Sequence, residues 1–241
     1  SKVTASTAKV TINDANTTEV LASELSAIGG ATSGVVTATG ALAIDGTHAD
    51  LTAALVTEGT KIVAGQSGTT ATVSNALTAS TAAALADVSN VTAIFAAGVT
   101  DEIGNLTTGN AVHANVTTFT TEDADVAITI DDDSGTVDSR KLSALGSSTT
   151  GAVTVSNAVT ITGNHDQATA ALVTAGSKVS AGSAKVIIND ANTVTMTAAE
   201  LSDIGGSTTG LVTVSNAVTI TGNHDAAEAA LVTAGTKVTA G

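Results

Sequence analysis

The feature that most constrains this chain is an internal repeat with a period of 59. Residues 211–241 match residues 152–182 at 26 of 31 positions, at an offset of 59 in the numbering. A second passage, AKVTINDANT at 8–17, returns as AKVIINDANT at 184–193, at an offset of 176, which is close to three times 59. A unit this short cannot bury its apolar face alone, so similar units must stack on one another to form a continuous core.

Weaker copies fill the remaining length and divide the chain into four units, about 8–65, 66–125, 126–183 and 184–241. We predict a single continuous array over 1–241, and no Pro-, Ser- or charge-rich break suggests a flexible linker within it. Residues 1–10 match residues 177–186, and Gly241 corresponds to Gly182, so both ends are in phase with the repeat. This predicts a segment of a longer polymer, built either as one longer chain or by head-to-tail stacking of copies.

Each unit contains two related halves of similar length. A half begins with alternating β-branched residues, continues through an Asx or Gly turn into a second short strand, and ends in an Ala-rich segment. We therefore predict a mainly β fold, a parallel β-solenoid with short helical turns and about 28–30 residues per coil. The alternation predicts an interior lined by Val10, Ile12, Leu172, Val186, Ile188, Val214, Ile220 and Leu231.

Capping signals mark the helical segments. Thr197 with Glu200, and Asp225 with Glu228, have the spacing of a helix N-cap followed by an acid three positions later. Gly205–Gly206 and Gly235 are expected to end the helices in a left-handed conformation.

The composition agrees with a narrow core. The chain has no Cys, Pro, Trp or Tyr and only two Phe, so Ala, Val, Ile and Thr must fill the interior. An array of two immunoglobulin-like sandwiches is the alternative, but each sandwich needs about seven strands and usually an aromatic anchor.

Charge and motifs exclude several functions. The net charge is −14 with only eight Lys and Arg, which argues against nucleic acid as a partner. No continuous apolar stretch is long enough to span a membrane. Serine, histidine and aspartate recur as repeated turn residues and not in a unique oriented setting, so we predict that the chain is not an enzyme.

Two sets of residues are candidate metal ligands. His48, His165 and His224 occupy the same position of their units, but stacked copies about 10 Å apart are too distant to share an ion, so we interpret them as turn residues before the helices. The acidic turns at 13–16, 131–135 and 189–192 offer oxygen ligands suited to Ca²⁺. A weak calcium site is best placed at Asp131, Asp132 and Asp133, and ordinary turn chemistry is the alternative.

The phrases TVSNAVTITG, AAELSDIGG and AALVTAGTKV resemble the long Ala/Thr/Val/Asx-rich repeats of giant cyanobacterial cell-surface proteins, including the swimming-motility type, and related fibre proteins. The resemblance covers nearly the whole chain, least well residues 90–125. It implies an exported structural protein of a fibre, filament, sheath or surface layer, located outside the cell or on its surface. A calcium-dependent adhesin and an ice-binding module, the latter suggested by Thr-rich strands, are the alternatives.

Overall fold

Short strands that pair in parallel with the equivalent strands of a neighbouring half-repeat define the fold. In a computed structural model, which describes residues 6–176, 179–233, 235 and 238–240, the chain forms two compact units. The first contains residues 1–99 and 114–126, and the second contains residues 100–113 and 127–241.

The elements of the first unit alternate strand pairs with helices. Its strands are β1 (Val10–Ile12), β2 (Glu19–Leu21), β3 (Val36–Ala38), β4 (Ala43–Gly46), β5 (Val63–Ala64), β6 (Thr69–Val73) and β7 (Val91–Ile94), and its helices are α1 (Ala22–Gly30), α2 (His48–Leu55), α3 (Ala79–Ala86) and α5 (Ala114–Glu122). Strand β1 pairs with β3 and β3 with β5, while β2, β4, β6 and β7 form a second parallel sheet.

The second unit opens with a strand, a short helix and a short hairpin and then also alternates strand pairs with helices. Its strands are β8 (Val99–Asp101, of which Val99 belongs to the first unit), β9 (Thr107–Thr108), β10 (Ala111–Val112), β11 (Ile128–Ile130), β12 (Thr136–Asp138), β13 (Val153–Val155), β14 (Thr160–Gly163), β15 (Val179–Ser180), β16 (Lys185–Ile188), β17 (Thr195–Thr197), β18 (Val212–Val214), β19 (Thr219–Thr221) and β20 (Val238–Ala240), and its helices are α4 (Ile103–Leu106), α6 (Ser139–Gly146), α7 (His165–Leu172), α8 (Ala198–Gly206) and α9 (His224–Leu231). The sheets are β8-β11-β13-β15, β12-β14-β16-β18-β20 and β17-β19, and β9 and β10 form an antiparallel hairpin.

We call one strand–turn–strand–helix segment a row. Successive rows lie side by side in parallel, as where Ile128 pairs with Val153 and Val153 with Val179. The predicted parallel pairing is confirmed, but the fold is mixed α/β and not mainly β, because most of the Ala-rich segments form helices of eight or nine residues. Most rows are also shorter than the predicted coil, as the pairing of Thr195 with Thr219 illustrates.

The shorter row has a structural cause. A full repeat contains two rows and one further strand. In the third repeat this further strand is β15, which pairs with β13, and β16 begins the fourth repeat. Strand β16 pairs with β14, the second strand of the preceding row, and then with β18, the first strand of the next. In the first unit β6 makes the same change, since it pairs with β4 on one side and β7 on the other. Within each unit, the later repeat is therefore displaced by one strand position from the earlier one.

The core consists mostly of Ala, Val, Ile and Leu side chains and includes both Phe, so Leu contributes more and Thr less than the sequence predicts. Val186, Ile188 and Val214 are at most 1% exposed, which confirms the predicted interior at these positions. The prediction is wrong for Leu231, which is exposed, and Leu172 is half-buried. Val10, Ile12 and Ile220 are also half-buried, because they lie in the first and last rows, which have a neighbouring row on one side only.

Helix termini agree with the sequence in part. Thr197 and Glu200 form the predicted capping box at α8. Asp225 is not an N-cap, because the side chain of Asn223 accepts the N–H of Ala226 and the helix begins at His224. Gly205–Gly206 lie inside α8, whose C-cap Ser207 has a right-handed conformation, and Gly235 lies beyond the end of α9 at Leu231.

Gly34 and Gly210, which follow α1 and α8 after a short turn, allow close packing between rows. A Cβ atom on Gly210 would lie 2.1 Å from the carbonyl oxygen of Ala184, and one on Gly34 would lie 2.2 Å from the carbonyl oxygen of Ala8. These two contacts occupy the same position of two different repeats. They show that adjacent rows approach each other to a distance that leaves no room for a side chain.

Candidate functional site

Among the described residues, polar contacts between rows recur at the first residue of a helix. There a side chain from the turn of the next row accepts a hydrogen bond from the backbone of the helix. His165 is the first residue of α7, after the N-cap Asn164. Asp190 follows β16, and the pairing of β16 with β14 brings its carboxylate over the start of α7. The backbone N–H of His165 donates to Oδ2 of Asp190 at 2.7 Å. Asp190 therefore acts as a helix cap supplied by the next row.

The imidazole of His165 is bound by the same carboxylate. Its Nδ1 atom lies 2.7 Å from Oδ1 of Asp190, and its Nε2 atom lies 3.4 Å from Oδ1 of Asp166. A carboxylate only accepts hydrogen bonds, so Nδ1 of His165 carries the proton. Since both ring nitrogens face carboxylates, the ring links two rows and presents no free nitrogen to a substrate.

Burial and charge have opposite effects on the pKa of His165. Burial of the ring lowers the pKa, but the hydrogen bond and the negative charge of Asp190, with smaller contributions from Asp166 and Glu200, raise it above the usual value of 6.5. The side chain of His165 is 12% exposed and that of Asp190 is 4% exposed, so solvent screens this pair only weakly.

The same position is used in other repeats. Asn75 occupies it above α2, where its Oδ1 accepts the N–H of His48 at 2.8 Å and its amide donates to Nδ1 of His48 at 2.9 Å. Asp132 occupies it above α4, where its Oδ2 accepts the N–H of Ile103 at 2.7 Å. Three repeats thus place an Asn or Asp over the helix start of the preceding row. Sequence reasoning identified Asp132 and Asp190 as turn residues and missed their partners. The three histidines at one position of the repeat were a usable signal, but the interpretation as turn residues before the helices is wrong, because each is the first residue of its helix.

Asparagines make a second contact between rows. Nδ2 of Asn216 donates to the backbone carbonyl of Asp190 at 2.6 Å, and Nδ2 of Asn157 donates to the carbonyls of Asp131 and Asp132 at 3.1 Å. These bonds hold the acidic turns in place from the following row. The turns are consequently fixed on both sides.

The three calcium candidates, Asp131, Asp132 and Asp133, have different environments. The carboxylate of Asp132 caps α4, Asp133 is exposed, and Oδ1 of Asp131 is buried without a hydrogen-bond partner among the described residues. Within the described part of the chain, no group of three or more His, Cys, Asp or Glu side chains is arranged to hold a metal ion. The calcium site at 131–133 stays a prediction.

The outward faces of the strands bear on the ice-binding alternative. Thr residues pair between rows, as in Thr11 with Thr37 and Thr129 with Thr154. In the longest sheet these columns are interrupted, because Lys185 pairs with Thr160 and Ile187 with Thr162. The interruptions leave no uniform flat Thr surface on that sheet, as far as the structure describes it.

Aromatic side chains are not available at the surface. The chain has two Phe and no Trp or Tyr, and Phe95 and Phe119 are at most 2% exposed. Their rings pack edge to face with centroids 6.0 Å apart. Stacking of a sugar on an exposed Phe, Tyr or Trp ring is thereby excluded.

Comparisons with protein-family models, curated proteins and solved structures found no significant match to this chain. Among the described residues, no helix combines the length and the apolar character that crossing a membrane requires.

The pair formed by His165 and Asp190 should make the second unit less stable at high pH. A pKa raised by folding means that the stabilisation is complete below the unfolded value near 6.5 and is lost as the pH rises through the folded value. Urea unfolding at pH 5.5 and pH 8 should show a larger stability difference for the wild type than for Asp190→Asn, which keeps the cap and removes the charge.

Asp190→Ala should lower the free energy of unfolding by about 2 to 4 kcal/mol, because it removes a helix cap and leaves a buried ring nitrogen unsatisfied. An NMR titration of His165 that is identical in the wild type and in Asp190→Asn would contradict this account.

Proposed function

We propose that this chain is a structural repeat protein that forms part of an extracellular fibre, filament, sheath or surface layer, and that its rows form a parallel β-solenoid. The observation that carries the proposal is the use made of the polar residues of the repeat. Asp190, Asn75 and Asp132 each hold one row to the next. A chain whose repeated polar groups are used in stacking is suited to building length.

Two other properties support a structural role. The core is built mostly from Ala, Val, Ile and Leu, and each added row extends it, so stability increases with the number of rows. The net charge of −14 keeps a long assembly soluble and discourages lateral clumping. The resemblance to Ala/Thr/Val/Asx-rich repeats of cell-surface and fibre proteins supports a location outside the cell.

Sedimentation velocity from about 1 to 100 μM, followed by negative-stain electron microscopy, tests the proposal directly. We expect the recombinant chain to form filaments of constant width whose length increases with concentration. A parallel sample in EDTA and one in millimolar CaCl₂ should look the same, whereas filaments or surface binding only with calcium would favour the adhesin. A monodisperse globular particle at every concentration would refute the structural proposal.

A further inference from the structure

We propose that two copies of this chain associate head to tail through a contact in which Asp14 of one copy caps helix α9 of the other and pairs with its His224. The inference rests on the proposed structural function and names its partner, a second copy of the same chain. It derives from a junction that each molecule already contains.

The template is the junction between β14 and β16. Lys185, Val186, Ile187 and Ile188 pair in parallel with Thr160, Ile161, Thr162 and Gly163, and Asp190 caps α7 at His165. One side of this junction is the segment TITGNH at 160–165, and the other is AKVIINDANT at 184–193.

Both sides occur a second time in the chain. Residues 219–224 repeat TITGNH without a change, and residues 8–17 repeat the second segment with Thr11 in place of Ile187. In this correspondence Asp14 is the counterpart of Asp190, and His224 is the counterpart of His165. The chain therefore carries a complete second pair of docking surfaces.

The second pair is uncovered. The side chain of His224 is 88% exposed, against 12% for His165, and Asp14 is exposed. The apolar members of the two surfaces, Val10, Ile12 and Ile220, are half-buried, whereas their counterparts Val186, Ile188 and Ile161 are at most 1% exposed. Equivalent residues are therefore buried at the internal junction and more exposed at the second pair of surfaces.

Transferring the internal register gives the contact between copies. Val10 of one copy pairs with Ile220 of the other, and Thr11 with Thr221, which covers the half-buried apolar residues. Asp14 then lies over the start of α9, where its carboxylate accepts the N–H of His224 and faces the imidazole ring. Such a heterologous contact uses different surfaces on the two copies, so each added copy leaves one surface of either kind open for the next, and the assembly grows into a filament where the rotation between copies does not close a ring.

A charge reversal with a matched control tests the contact. Asp14→Lys places a cation over the helix N-terminus and beside His224, and it should weaken association at least about tenfold. Asp133→Lys makes the same change of charge at another exposed acid and should leave association unchanged. Both variants should keep the circular dichroism spectrum and unfolding midpoint of the wild type, because Asp14 and Asp133 are exposed.

Cysteine pairing locates the contact independently, since the chain has no cysteine of its own. A mixture of Asp14→Cys chains and His224→Cys chains should give a disulfide-linked heterodimer under mild oxidation, and Asp133→Cys mixed with His224→Cys should not. Filaments that Asp14→Lys leaves intact would overturn the inference while the structural function stands. A wild-type chain that remains monomeric at about 100 μM would overturn both. Cross-linked copies that stop at small closed rings would support the contact and contradict the fibre.

Discussion

Replacing Ile188 with Asp should unfold the second unit. The side chain of Ile188 is fully buried between the neighbouring strands, opposite Gly163 on one side and Val214 on the other. A carboxylate at this position has no partner, and burying it costs on the order of 4 kcal/mol or more. Urea unfolding followed by circular dichroism should show the loss at pH 7 and a smaller loss at pH 4, where a protonated Asp carries no charge.

Ile187→Asp is the control for this experiment. Ile187 belongs to the same strand but faces outward and is half-buried, and Thr11 takes its place in the first repeat. The expected cost is about 1 kcal/mol or less. Equal losses in the two variants would mean that the two faces of β16 are wrongly assigned.

Replacing Gly210 with Ala should separate two rows. The added Cβ atom would lie 2.1 Å from the carbonyl oxygen of Ala184 and 2.7 Å from that of Ser183, and both are backbone atoms that cannot rotate away. We expect a loss of about 3 to 5 kcal/mol in unfolding free energy, since relief requires a shift of the backbone pairing between β16 and β18. Thermal unfolding monitored by circular dichroism measures it.

Gly176→Ala provides the matched comparison. A Cβ atom on Gly176 would have no heavy atom within 4 Å, so this variant should unfold at the temperature of the wild type or slightly above it. If Gly210→Ala were as stable as Gly176→Ala, the close approach of the rows would not be required for folding.

Much of the local structure could be predicted from the sequence. The alternation of Val and Ile with Thr identified the buried faces at Val186, Ile188 and Val214, because period-two patterning reports directly on which side of a strand is covered. Thr197 with Glu200 marked the start of α8, because both partners of that cap lie within one helical turn of each other. Local signals succeed where the interaction itself is local.

The pairing of strands could not be predicted in the same way. First strands, such as Val-Thr-Val in β18, and second strands, such as Thr-Ile-Thr in β19, both alternate apolar residues with Thr, so the sequence does not say that β16 continues the sheet begun by β12 and β14. The partner of Asp190 was missed for the same reason, since His165 belongs to the preceding row and becomes a neighbour only through that pairing. The error at Asp225 is different, because Asn223 and Asp225 are both good capping residues and only the turn geometry selects between them.

The displacement of one strand position per repeat has a consequence for how such a gene can change length. Strand β16, the first strand of its repeat, pairs with the edge of β14 in the repeat before it. The end of one repeat therefore fits the start of the next, whatever the number of repeats on either side. Recombination that adds or removes a whole repeat preserves every junction, and the new protein differs only in length. Loss of a single row brings together two edges whose strands are not in matching positions. The apolar residues at this new junction then stay exposed. Natural alleles and sister genes should therefore differ by whole repeats, and sequencing of the locus from several isolates would show it.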